Sequence, residues 1–218
     1  DCDIVDYDRV LLARLCLPMA HPSLDFEFCK AYYARCTDRM HGRVVRLLVA
    51  PLLRGLIAVI GEDHFLAYLN SFRYPLAGEF AVTSTLARSN RIPSDWGLEI
   101  GVLSEMKRNY ATNRICQVDI ADSYDHKHQN MSIDDDQQGL SKMSVDISKA
   151  LFRKLATVGH VFTTETFRSI KASYFRIALD FVETYRNDAI INGLTLDVHE
   201  EESAAELFAE NIIKAGNR

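Results

Sequence analysis

In YDRVLLARLCLP, apolar side chains at Val10, Leu11, Leu15 and Leu17 recur at helical spacing, which predicts a short packing helix over residues 6–17 that Pro18 ends. Residues 26–34 alternate instead and are rich in Phe and Tyr, as a strand is. The run VVRLLVAPLLRGLIAVIG returns to helical spacing and is predicted as a helix bent or interrupted at Pro51 and Gly55. A short helical piece follows at 66–69. Helical spacing recurs over 80–88 and again over 96–108, where Pro93-Ser94-Asp95 supplies a start signal with Asp95 as N-cap. ICQVDI, residues 115–120, is β-branched and alternating, a strand that runs into the polar segment ADSYDHKHQN. From residue 138 the pattern is helical over 138–156, 163–186 and 202–215, with Glu200-Glu201-Glu202 as a cap-like acidic run before the last. The expected class is α/β: a mixed part over 1–130 that carries the polar motifs, then a helical C-terminal region over 131–218.

Composition narrows the function classes. The chain has 218 residues, 48% of them hydrophobic and 25% charged, as in a folded globular protein. Twenty-five Lys and Arg stand against 30 Asp and Glu, a net charge of −5 that leaves no broad basic face for nucleic acid. The most apolar stretch, 47–60, is broken by Pro51 and Arg54 and falls short of the roughly 20 residues of a spanning helix, so no membrane partner is expected. Five cysteines, odd in number and without C-x-x-C spacing, fit neither a disulfide framework nor a thiolate zinc site and point to a reducing, cytoplasmic setting. The chain opens on Asp1 rather than Met and reads as a piece of a longer one.

Five short segments could carry chemistry. In Asp1-Cys2-Asp3-Ile4, carboxylates at i and i+2 of an extended segment point to one side and can share a hard cation, although an isolated D-x-D is common on surfaces. His126 and His128, in the polar loop after the 115–120 strand, offer imidazoles to a divalent metal, or are simply loop histidines. In His41-Gly42-Arg43-Val44-Val45-Arg46, glycine permits close backbone approach and the neighbouring guanidinium can grip phosphate or carboxylate, or the segment is a surface turn. Tyr74-Pro75-Leu76-Ala77-Gly78-Glu79 is a turn able to present backbone groups. Glu99, in Asp95-Trp96-Gly97-Leu98-Glu99-Ile100-Gly101, is a carboxylate among apolar neighbours, where a charge requires a partner or a ligand hydroxyl.

The ordered set, D-x-D, G-R-V, P-L-A-G-E, D-W-G-L-E-I-G, then Q-V-D and a His-bearing loop, resembles the glucosyl-3-phosphoglycerate synthases, retaining glycosyltransferases of the GT-A type. The likeness covers residues 1–150 and is densest over 74–101. It implies a partial GT-A fold, the acceptor half followed by a largely helical C-terminal part and without the N-terminal nucleotide-binding half. It also implies weak nucleotide-sugar binding by this chain alone. It implies Mg²⁺ or Mn²⁺ held by Asp3 and His126, with Asp1 beside them. The partners would be a nucleoside diphosphate-glucose and 3-phosphoglycerate. The acceptor would lie on Gly42, Arg43, Val44, Val45 and His128, with Val45 in place of the Thr of the family's G-R-V-T. The donor would lie on Asp1, Asp3, Leu76, Ala77, Gly78 and Glu99. The catalytic roles fall to Glu99 and Leu76, with Glu99 orienting a sugar hydroxyl rather than acting as a nucleophile. Related readings are transfer of another hexose or to another acceptor, such as GDP-mannose and glycerate, and a non-catalytic binding module. The helical region is also compatible with a homodimer.

Overall fold

The computed structural model describes residues 8–36, 38–121 and 138–217. Helix α1, Arg9–Ala20, leads into β1, Phe28–Tyr33; a π-helical turn, Val44–Val49, runs on into α2, Ala50–Ile60. Then come α3, His64–Asn70; β2, Phe80–Val82; α4, Ser84–Ser89; α5, Leu98–Asn109; and β3, Ile115–Ala121. Three helices complete the chain: α6, Gly139–Thr157; α7, Thr164–Asn192; and α8, Val198–Gly216.

The sheet is small, in the order β2-β1-β3, with β2 antiparallel and β3 parallel to the central strand. Because β1 is paired on both edges and covered on both faces, Phe28, Cys29, Lys30, Ala31 and Tyr33 are all buried. Leu11 and Leu15 of α1 pack beside Ala31, Tyr33, Ala77 and Ile120, while Phe28 joins the main core. That core is continuous from Leu47, Leu52 and Leu56 through Leu103 and Leu151 to Tyr174 and Phe208, so the sheet, α2 and the C-terminal helices share one apolar interior. Serines on one face of α6 meet α8, where the Asn211 amide donates to Ser141 Oγ at 3.0 Å and to Ser144 Oγ at 2.9 Å.

Several boundaries differ from the pattern-based reading. Pro18 does not end α1; it sits in the last turn, and the His21 N–H closes the helix on the Leu17 carbonyl at 2.9 Å. The apolar run changes from π-helical to α-helical at Val49–Ala50, with Pro51 in the first turn of α2, whereas Gly55 lies within α2 without interrupting it. Pro51 has no N–H for the carbonyl four residues back, and the Tyr174 hydroxyl of α7 donates to that carbonyl, Leu47, at 2.6 Å. Gly55 sits against the Tyr174 backbone, where a Cβ would come within 3.1 Å of its nitrogen. Residues 80–82, expected as helix, form β2, because three residues carry little periodic signal and the open edge of β1 recruits them. Gly97 rather than Asp95 is the N-cap of α5, the Asp95 carboxylate accepting from the Gly97 N–H at 3.0 Å. Glu200 and Glu201 lie inside α8, which Asp197 caps.

Candidate functional site

The segment 74–79 wraps the end of β1. The Ala31 N–H donates to the Glu79 carbonyl at 3.0 Å, extending the β1–β2 ladder into the turn, and the Ala77 N–H closes the turn on the Tyr74 carbonyl at 3.2 Å. Ala77 is fully buried and Leu76 half-buried, packed on the edge of the main core. From beneath, the Lys30 ammonium donates to the Ala77 carbonyl. Lys30 is only 1% exposed, and its Nζ stands 5.6 Å from the Phe80 ring centre. Burial pulls its pKa down to about 8, against the opposing pull of Glu99 and then Glu79.

Glu99, in the first turn of α5, is near enough to feel the charge of this lysine. Burial raises its carboxyl above the ordinary range; its own backbone N–H and Lys30 hold it down, and Glu79 adds to the rise. Tyr33 donates to Glu79 Oε2 at 3.0 Å and lies ring against ring with Tyr74 at 5.2 Å. Arg35 Nη1 donates to the Tyr74 hydroxyl at 3.2 Å. Burial raises the phenols of both tyrosines.

The Gly42 segment meets this cluster from the other side. Gly42 has φ +72°, a left-handed conformation costly for a residue with a Cβ, and a Cβ there would lie 3.6 Å from the Tyr74 hydroxyl and 3.7 Å from Arg35 Cδ. Its carbonyl accepts from the N–H groups of Val45 and Arg46, both at 3.0 Å, starting the π-helical turn. Val44 is buried and Val45 half-buried. Arg43 turns toward α8: its Nε lies 2.8 Å from Glu201 Oε1 and its Nη2 3.1 Å from Glu200 Oε2. Arg46 Nη1 meets the other Glu201 oxygen at 2.7 Å, its Nε donates to the His41 carbonyl at 2.9 Å, and its guanidinium lies over the Tyr185 ring. Glu201 is 2% exposed, so it is a buried carboxylate shared between two guanidinium groups.

The structure thus brings Gly42, the Leu76-Ala77-Gly78 turn and Glu99 around one polar cluster, while Arg43 turns from it to Glu200 and Glu201 of α8. Asp1, Asp3, His126 and His128 lie outside the described residues, and among the described residues no group of three or more His, Cys, Asp or Glu is placed to hold a metal. Cys16, Cys29 and Cys116 are free thiols. No helix among the described residues is long and apolar enough to cross a membrane. Lys30, Tyr33, Arg35 and Glu201 were missed by motif reasoning. Lys30 had a usable signal, a lone cation inside FCKAYY, a strand otherwise suited to burial; Glu201 had none, being 158 residues from Arg43.

No family model matches the chain. The motif likeness nonetheless extends over its whole length. The chain is 50% identical over 215 residues to the glucosyl-3-phosphoglycerate synthase of Persephonella marina, covering 99% of this chain and 53% of that protein. It is 44% identical over 221 residues to the enzyme of the same name from Methanococcoides burtonii, covering 100% of this chain and 54% of the relative. The chain therefore spans about half the length of the curated relatives it matches. The fold is shared with the crystal structure of glucosyl-3-phosphoglycerate synthase from Mycobacterium tuberculosis in complex with Mn²⁺, uridine-diphosphate-glucose and phosphoglyceric acid: TM-score 0.56 at 23% identity, over 71% of this chain and 47% of that one.

Proposed function

We propose that this chain supplies the acceptor side and the sugar-facing turn of a retaining, metal-dependent hexosyltransferase that moves glucose from a nucleoside diphosphate-glucose to 3-phosphoglycerate. One observation carries the reading: Gly42, the residues 76–78 and Glu99, from three motifs far apart in sequence, gather around the Lys30–Tyr33–Tyr74 cluster, with Arg43 next to Gly42 and paired to α8. The names of the relatives and the contents of the matched complex support the same substrates.

The chemistry assigns a part to each group. Arg43 grips an acceptor phosphate or carboxylate. Its pairing with Glu200, whose side chain is 47% exposed, is the one an incoming anion displaces, while the buried Glu201 keeps Nε in place. The backbone of Leu76, Ala77 and Gly78 lines the sugar. Glu99 accepts from a sugar hydroxyl and stabilises positive charge developing at the anomeric carbon. Holding acceptor and sugar side by side removes most of the entropic barrier to their meeting. Retention then proceeds on one face of the ring without a covalent enzyme nucleophile. Carboxylate and imidazole form a donor set suited to Mg²⁺ or Mn²⁺, and Asp3 and His126 would hold the ion, which supplies charge neutralisation for the diphosphate leaving group.

The test is a matrix of donors (UDP-glucose, GDP-glucose, GDP-mannose) against acceptors (3-phosphoglycerate, glycerate). It is read by product mass on this chain and on a longer polypeptide that joins it to a nucleotide-binding half. Glucosyl-3-phosphoglycerate is expected from the longer polypeptide, abolished by a chelator and restored by Mg²⁺ or Mn²⁺. Product only with mannose or glycerate would move the reading to a sister specificity, for which Val45 in the G-R-V-V motif is the first residue to examine. No transfer by folded protein in any cell would overturn it.

A further inference from the structure

We infer that Lys30 is a positioning residue for the sugar site, holding the residues 76–78 and the Glu99 carboxylate in one fixed arrangement. The inference rests on the donor-facing reading of those groups. Lys30 sits at the middle of the central strand, paired with Phe80 of β2 and Gln117 of β3 and almost wholly buried. Packing does not require a cation there. An aliphatic side chain would fill the same space beside Phe80 without the desolvation cost of a buried ammonium, and would leave the Ala77 carbonyl without its donor.

What the ammonium does provide is a cross-link between elements. It donates to the Ala77 carbonyl in the turn, and its charge acts on Glu99 of α5 and on Glu79 just before β2. Fixing one peptide carbonyl orients the groups on either side of it, and those are the Leu76 and Gly78 backbone. A nearby positive charge also opposes the rise that burial gives the Glu99 carboxyl, and the ionised form is the one that counters developing positive charge. Among the described residues, the titratable groups that act on Glu99 are Lys30 from β1, Glu79 from the turn and Tyr74. Lys30 is the cation among them.

Transfer kinetics and melting temperature are to be measured on the longer polypeptide for wild type, Lys30→Met, Lys30→Gln and Lys30→Arg. Lys30→Met leaves the Ala77 carbonyl without its donor and is expected to melt below wild type, and, measured on folded protein, to lose about 10- to 100-fold in kcat, the scale of a misplaced reacting group, with little change in acceptor KM. The acid limb of its kcat profile is expected to move to higher pH, because Glu99 then titrates without its cation. Lys30→Gln keeps an N–H for the Ala77 carbonyl and is expected to show the same pH displacement with a smaller loss; it decides the matter if Lys30→Met does not fold. Lys30→Arg is expected to keep the wild-type acid limb. Wild-type kcat and an unmoved acid limb in Lys30→Met, or in Lys30→Gln, would overturn the inference. Wild type with no transfer would instead refute the functional reading.

Discussion

At the scale of single residues, adjacent glutamates on α8 separate two uses of charge. Glu201 is buried and shared by Arg43 and Arg46, whereas the Glu200 side chain is half-exposed and reaches Arg43 alone. Removing one partner of a buried pair leaves the other charge desolvated and unpaired, so Glu201→Ala is expected to cost about 3–5 kcal/mol. Glu200→Ala should cost under about 1 kcal/mol, as solvent-screened pairs do. Urea denaturation of both variants checks this; equal losses would mean that Glu201 is not the anchor of the Gly42-Arg43 segment. The sequence could offer Arg43 as an anion-binding residue because glycine and arginine side by side have a local chemical meaning. It could not offer Glu201, because a glutamate in an acidic run looks solvated until the fold buries it.

At the scale of elements, helices α5 to α8 and strands β1 and β3 were legible because each carries enough periods of its hydrophobic pattern to stand out. What failed were places where a distant partner decides. The three residues of β2 take their conformation from the edge of β1. At the junction of the π-helical turn and α2, Tyr174, on a helix more than a hundred residues later, donates to the Leu47 carbonyl that Pro51 cannot serve. Tyr174→Phe keeps the ring but leaves the Leu47 carbonyl buried without that donor, and is expected to destabilise the fold by about 1–3 kcal/mol. Chemical denaturation gives the value; an unchanged midpoint would show that another group satisfies the carbonyl. Since α2 follows directly on the π-helical turn that begins after Arg43, this bond also steadies the frame of the Gly42 segment.

At the scale of the whole molecule, the legible part of the candidate site was its set of motifs, and the illegible part was the cluster that joins them. G-R-V, P-L-A-G-E and the Glu99 helix could each be named from residue type and spacing. That Lys30, Tyr33 and Arg35 connect them depends on β1 lying beneath the turn, a tertiary fact. The central claim is that Gly42-Arg43 and the residues 76–78 with Glu99 are the acceptor and sugar sides of one reaction site. The most direct measurement is the KM for 3-phosphoglycerate and for UDP-glucose of the longer polypeptide, wild type against Arg43→Ala, with Arg43→Lys as the charge-conserving control. Loss of a charge-assisted hydrogen bond of about 1.5–3 kcal/mol corresponds to a rise of roughly 10- to 150-fold in acceptor KM. The account predicts that rise with the donor KM within about twofold of wild type, and a partial recovery in Arg43→Lys. An unchanged acceptor KM in a folded Arg43→Ala protein would contradict it, leaving Arg43 as no more than a strut between the Gly42 segment and α8.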